Sequence, residues 1–224
     1  MWKNACGFPP ASRSNSIDHV HAFRAIQPES VNVIWGLCMG FAWTAHRFSG
    51  GALALDVANS VVLRFDAERR IDRFDDPAAI DAFAGAANLY GAERKRFGPL
   101  IPARLERRNA FIGLREATDR HFRALVRTED RPDLLADLLE AIAAVLRQPA
   151  PAGKGTPLDV ATAHSALGLI SGPEPGRLKI CPNCAWLFLD RSRNRSRTWC
   201  DMAVCGNRSK ARRHYRRSRE EPKP

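Results

Sequence analysis

No hydrophobic run in this chain is long enough to cross a membrane. The one candidate, Val31 to Ala45, spans 15 residues and includes Asn32, whereas a spanning helix needs about 20 apolar residues. The 30 residues before it mix acids, histidines and breakers, which is not the layout of a signal peptide. Internal repeats and collagen-like, coiled-coil or low-complexity bias are also missing. Nothing assembles a nucleophile, a base and an oxyanion site. His121 and His164 have no paired acid, Asp76 reads as a helix cap, and Asp72 and Asp75 read as solvated loop charge. Asp56 and Asn59 lie about one helical turn apart, a spacing that suits bonding to a neighbouring loop or to a polar ligand. These absences lead us to expect a cytoplasmic protein that is not an enzyme and has no membrane partner.

Acidic residues are missing from one place in particular. Residues 1–190 hold 23 Lys/Arg against 21 Asp/Glu, but residues 191–219 hold 11 against the single Asp201. The formal charge of +11 therefore belongs almost entirely to a short C-terminal segment, and a local field of that sign attracts polyanions, nucleic acid first.

Cysteine is sparse and uneven. Cys6 and Cys38 stand alone, while Cys181, Cys184, Cys200 and Cys205 fall within 25 residues as C-x2-C, fifteen residues, C-x4-C. Two buried disulfides would require an oxidising compartment, and a redox C-x-x-C belongs on a strand-to-helix turn of a βαβ unit. Close thiol pairs read instead as metal ligands. Zinc takes four such donors in a tetrahedron, and four protein thiolates leave no open position, so we expect one structural Zn2+. His214 stays outside the ligand set. Leu178, Ile180, Trp186 and Phe188 flank the first pair with strand-like alternation, which predicts a hairpin with these four on one face.

The remainder reads as mainly α, a helical bundle of about five helices followed by a small zinc-stapled hairpin-plus-helix finger. The first helix is expected in "GGALALDVANSVVLRF". The second is capped by Asp76-Pro77, with Ile80, Phe83, Ala84, Ala87 and Tyr90 on one face. The third runs from Arg104 to Arg127 with Phe111, Leu114, Thr118, Phe122 and Leu125 inward, and with Glu116/Arg120 and Asp119/Arg123 as outward pairs. The fourth, Asp133 to Arg147, carries Leu134, Leu138, Leu139, Ile142 and Leu146 on one stripe. "QPAPAGKG" is a loop, and a fifth helix starts at Thr156-Pro157 with Val160, Ala163, Leu167 and Ile170 inward and ends at Gly172-Pro173. The expected divisions are an N-terminal extension over 1–48, of which 1–38 read as dispensable, a helical domain over 49–172, a finger over 173–219 and a tail over 220–224.

The run from Cys181 to Lys210, with Pro182, Asn183, Trp186, Phe188, Asp190, Ser192, Asn194, Arg197, Trp199 and Met202 between the cysteines and Gly206, Asn207 and Arg208 after them, resembles the bacterial CGNR zinc finger. Upstream, "GGALALDVANSVV", with Leu55, Asp56 and Asn59, resembles the opening of the ABATE domain that usually precedes that finger. The resemblance implies a mostly helical stress-response-type regulator whose finger binds DNA, and a start near Met39.

After Cys205, "GNRSKARRHYRRSRE" reads as a helix that is cationic nearly all round. Arg208, Arg212, Tyr215, Arg216 and Arg219 share one side, and Lys210, Arg213 and Arg217 cover the next. Arg191, Arg193, Arg195 and Arg197 form a second basic element for phosphate contact. Asn207 and Arg208 have the chemistry to read base edges, or alternatively to cap the helix and brace the finger through Asp190. DNA is the expected partner. RNA is the alternative if Trp186, Trp199 and Tyr215 are exposed for stacking, and a redox-sensing or protein-interaction module is a further one. The helical domain is expected to sense a signal or to form a homodimer.

Overall fold

The computed structural model describes residues 41–149, 154–172 and 176–220. The expected arm over 1–38, Cys6, Cys38, the middle of the 148–155 loop and the tail beyond Glu220 lie outside the described residues. Among the described residues five helices pack together and a sixth belongs to the finger: α1 (Leu53–Ala58), α2 (Pro77–Tyr90), α3 (Arg108–Val126), α4 (Pro132–Leu146), α5 (Leu158–Ser171) and α6 (Asn207–Glu220). Three two-stranded ladders join them: antiparallel β1 (Val61–Val62) with β2 (Ile71–Asp72), parallel β3 (Leu100–Ile101) with β4 (Thr156–Pro157), and antiparallel β5 (Leu178–Ile180) with β6 (Leu187–Leu189). No helix among the described residues is long and apolar enough to cross a membrane.

Helix α3 is the centre, packed against α1, α4, α5 and β5. Phe111, Leu114, Thr118 and Phe122 are buried as expected, but Leu125 is 53% exposed where the helix runs past its neighbours. Because both flanks of α3 are covered, Asp119 and Arg123 form a buried pair at 2.7 Å rather than a surface one. Glu116 bonds to Arg64 and Arg115, not Arg120, and Arg120 approaches Asp137 of α4 instead. The stripe of α4 is also rotated from the expected one. Leu138, Ile142 and Val145 are buried while Leu139 and Leu146 face solvent, so only one side of α4 meets α3 and α5.

In α2 the Asp76 side chain accepts from the Ala78 amide at 2.9 Å, and Ile80, Phe83, Ala84 and Ala87 are buried. Tyr90, expected on that face, is exposed at the last turn. The fifth helix begins at Leu158, two residues later than expected, because Thr156 and Pro157 pair with Leu100 and Ile101. The first helix is much shorter than expected. It ends at Ala58, after which Asn59 turns its amide to the finger and the β-branched Val61 and Val62 enter β1.

Residues 41–48, expected to belong to the N-terminal extension, pack on the helices and bury Trp43 and Phe48 in the core. Trp43 donates its indole N–H to the Ala79 carbonyl at 2.8 Å and packs edge-on against Phe83, with ring centroids 4.8 Å apart. Phe48 is buried beside it. A second core cluster is mostly aliphatic and does not stop at the helical domain: Leu55, Leu114, Leu138 and Ile142 share it with Leu187 of β6.

That sharing corrects the expected face of the hairpin. Cross-strand neighbours lie on the same side of a ladder, and the register pairs Leu178 with Leu189 and Ile180 with Leu187. These four turn toward the helices. Phe188 is opposite Lys179 and, with Trp186, turns to the cysteines. The observed register is one position away from the pairing that would put Leu178, Ile180, Trp186 and Phe188 on one face.

Candidate metal centre and basic helix

The first thiol pair sits in a tight turn at the end of β5. The Ala185 amide donates to the Cys181 carbonyl, and the Cys181 amide donates to the Trp186 carbonyl, each at 2.8 Å. Ala185 takes φ 60° to make the bend. Of the second pair, Cys205 sits in a turn of π-helix, Met202–Gly206, capped by the Asp201 side chain on the Val204 amide at 3.1 Å, and Cys200 lies just before that turn. The two turns bring the Sγ atoms of Cys181, Cys184, Cys200 and Cys205 within 4.8 Å of one another. Cys184 and Cys200 are 3.5 Å apart and Cys200 and Cys205 3.7 Å. A tetrahedron with Zn–S of about 2.3 Å has edges of about 3.8 Å, so the donor set fits zinc. All four cysteines are free of disulfides.

Four thiols this close also compete for ionisation. Hydrogen bonds from Cys184 and Cys200 hold the Cys181 thiol far below its ordinary range, while sharing with Cys181 pushes Cys200 up to about 12 and Cys184 higher still. One thiolate forms at the expense of its neighbours. A divalent ion lets all four lose their protons together.

Asp190 organises the segment between the pairs. It is fully buried and accepts from Lys179 Nζ at 2.8 Å, the Ser192 hydroxyl at 2.6 Å and the Arg197 amide at 2.9 Å. Burial alone would raise its carboxyl; Lys179 and the Ser192 and Arg197 bonds outweigh it and hold the group well below the usual range. The alternative of an Arg208 brace on Asp190 is thus replaced by Lys179, a residue that sequence reasoning missed.

The finger is clasped by the loop and helix that open the helical domain. Asn59 donates to the Leu187 carbonyl at 2.8 Å and accepts from its amide at 3.0 Å. The Leu189 amide donates to the Gly50 carbonyl at 2.8 Å, and Asp56 fixes Gly50 by accepting its amide at 2.8 Å. Gly51, at φ 80°, lies so close that a Cβ would stand 3.1 Å from the Leu189 carbonyl. Asp56 and Asn59 therefore bond to a neighbouring segment, the first of the two uses expected of them. His46 joins the same junction, meeting Asp201 at 3.0 Å and stacking on Trp186 at 5.5 Å.

The expected nucleic-acid contacts separate into two groups. Asn207, Arg208, Lys210, Arg212, Arg213, Tyr215, Arg216, Arg217 and Arg219 are all exposed along α6, with Tyr215 at 72%. Arg212 reaches Asn183 in the first knuckle at 3.2 Å. Arg193 and Arg195 are exposed in the loop. By contrast, Arg197 lies over the Phe188 ring at 5.2 Å and bonds to the Cys200 carbonyl, and Arg191 donates to the Gly51 carbonyl at 2.6 Å. These two side chains brace the fold because the loop curls back on the hairpin instead of running extended. Arg47 adds to the basic surface near Arg208. Burial, then Arg73 and Arg208, lower its guanidinium. No motif marked it, since it lies in the segment read as an extension. Trp186 is 5% exposed and is not free to stack on bases, whereas Trp199 packs against the cysteine cluster but keeps part of its surface in solvent.

Residues 51–173 match the model of the ABATE family, described as "Putative stress-induced transcription regulator", and residues 177–218 match that of the CGNR zinc finger. No curated protein and no solved structure matches the chain. The match over more than half the chain agrees with the Asp56 and Asn59 clasp and the four-cysteine cluster: the protein belongs to the ABATE family and carries a C-terminal CGNR zinc finger.

Proposed function

We propose that the protein is a cytoplasmic transcription regulator that binds DNA through α6, mounted on a single structural zinc. The observation that carries this reading is the helix itself. Among the described residues no carboxylate pairs with Arg208, Lys210, Arg212, Arg213, Arg217 or Arg219. Like charges on adjacent turns repel, and a polyanion relieves that repulsion while releasing its own counterions. Four thiolates close the metal shell, so zinc here serves the fold and orients the helix. The free thiols fit a reducing compartment.

Binding to duplex DNA titrated against salt tests the proposal. With about six phosphates neutralised, log K against log [salt] has a slope near about −5. Arg212→Ala with Arg216→Ala lowers the slope by up to about 2 and weakens all sequences alike. A zinc-loaded, folded protein without salt-dependent affinity for DNA overturns it.

A further inference from the structure

A cavity of about 500 Å³ opens where the helical domain meets the finger, a size typical of small-molecule sites. Its floor is the small-residue side of α5, with Ser165, Gly168 and Gly172. Arg96, Arg177 and Arg191 also line it, while Ala52, Leu169 and Leu189 supply apolar surface. Glu93 is the single acid in the lining, and its side chain is only 9% exposed.

Glu93 is already committed to the protein. One oxygen accepts from the Leu53 amide at 2.8 Å and from the Ser165 hydroxyl at 2.5 Å, and the other takes Arg96 Nη1 at 2.6 Å. It therefore works as a clamp that fixes one edge of the Arg96 guanidinium across Gly168, where a Cβ would stand 2.8 Å from Nη1. Arg96 Nη2 and Nε make no hydrogen bond among the described residues, nor do Nη1 and Nε of Arg191, whose Nη2 holds the Gly51 carbonyl. Arg177 is held by the Asp190 and Ser192 carbonyls at 3.2 and 3.1 Å. Arg96 and Arg191, each with donors to spare, stand beside one neutralised acid and leave an excess of positive charge next to an apolar surface. A planar guanidinium with two donors to spare matches a carboxylate or phosphate.

We infer that this cavity binds a small organic anion, a carboxylate or phosphate with a compact apolar body. Arg96 and Arg191 grip the anionic group and Leu169 and Leu189 cover the rest. The site is separate from nucleic-acid binding and takes Arg191 out of the surface offered to DNA. Because Arg96 belongs to the helical domain and Arg191 to the finger, the bound anion bridges the two.

Isothermal titration of the full zinc-loaded chain at physiological salt with benzoate and with phenyl phosphate tests the inference, with benzyl alcohol and inorganic phosphate as controls. We expect one molecule of at least one aryl anion per chain, no binding of the alcohol and weaker binding of inorganic phosphate. Arg96→Gln and Arg191→Gln weaken the aryl anion tenfold or more, and Gly168→Val, which fills the floor and displaces Arg96, does the same. Arg217→Gln on α6 leaves it unchanged. Unaltered zinc content and circular dichroism establish that each variant is folded, and Arg96→Gln alone decides if Gly168→Val is not. Failure of both aryl anions to bind at millimolar concentration overturns the inference. So does binding that Arg217→Gln weakens and Arg96→Gln leaves intact.

Discussion

In the helical domain Arg107, Arg115 and Arg123 are almost wholly buried, and each meets a carboxylate: Asp159 at 2.6 Å, Asp72 at 2.6 Å and Asp119 at 2.7 Å. Along α6, Arg212, Arg213, Arg217 and Arg219 stand in solvent with no carboxylate partner among the described residues. One residue type thus serves two ends. Where the helices close over it, arginine ties loops and helix ends together, as Arg107 does by also reaching the Val145 and Pro149 carbonyls at 3.0 Å. Where no acid is supplied, its charge is left for something outside the chain. The contrast shows that net charge informs only when its neutralising partners are located.

The metal offers the largest test of that contrast, since it anchors the unpaired group to the paired one. Cys200→Ser, or a strong chelator, abolishes zinc binding measured by metal analysis and with it the proposed salt-dependent binding to DNA. Structural zinc sites are worth an apparent ~10–16 kcal/mol, and because Leu187 is shared with the helical core, the melting temperature of the bundle falls too. Next comes Arg107→Ala, which strands the fully buried Asp159. Loss of one member of such a pair costs about 3–5 kcal/mol, read by urea unfolding, while DNA affinity of the folded fraction stays unchanged. Asn59→Ala leaves two backbone groups of Leu187 unpaired and costs about 2–4 kcal/mol by the same measurement.

A smaller effect is set by pH. Burial raises the Asp72 carboxyl, but its bonds to Arg115 dominate and lower it below its ordinary 3.8. A carboxyl depressed in the folded state contributes stability that is present above its unfolded value and disappears as pH falls through the folded one. Stability therefore declines on acidification below about pH 4, and Asp72→Asn flattens that part of the profile in unfolding curves recorded at successive pH. The smallest change in stability belongs to Arg212→Ala with Arg216→Ala. It lies within about 0.5 kcal/mol, as for most surface substitutions, even as DNA affinity drops. Equal losses of stability from this double variant and from Arg107→Ala would break the contrast.

Particular residues show why some of this was legible in the sequence. The four thiols were, because zinc dictates both donor type and spacing, and the Asp76 cap was, because a cap is a local device. Asp119 and Arg123 were not: an i,i+4 ion pair looks the same whether its helix faces water or is covered on both flanks. The turn at Asn59 was equally hidden, since its partner Leu187 lies 128 residues away. Leu178 and Trp186 were assigned to one face because alternation gives the period of a strand and not its cross-strand register.

The clasp between the start of α1 and β6 has a consequence for the order in which the chain becomes complete during synthesis. Leu55 leaves the ribosome more than 130 residues before Leu187, with which it shares a core cluster. Contacts so distant along the chain slow folding and leave apolar surface waiting in the meantime. Zinc capture requires Cys205, which emerges later still, so the ion closes the finger and sets the hairpin only after the helices it covers have been made.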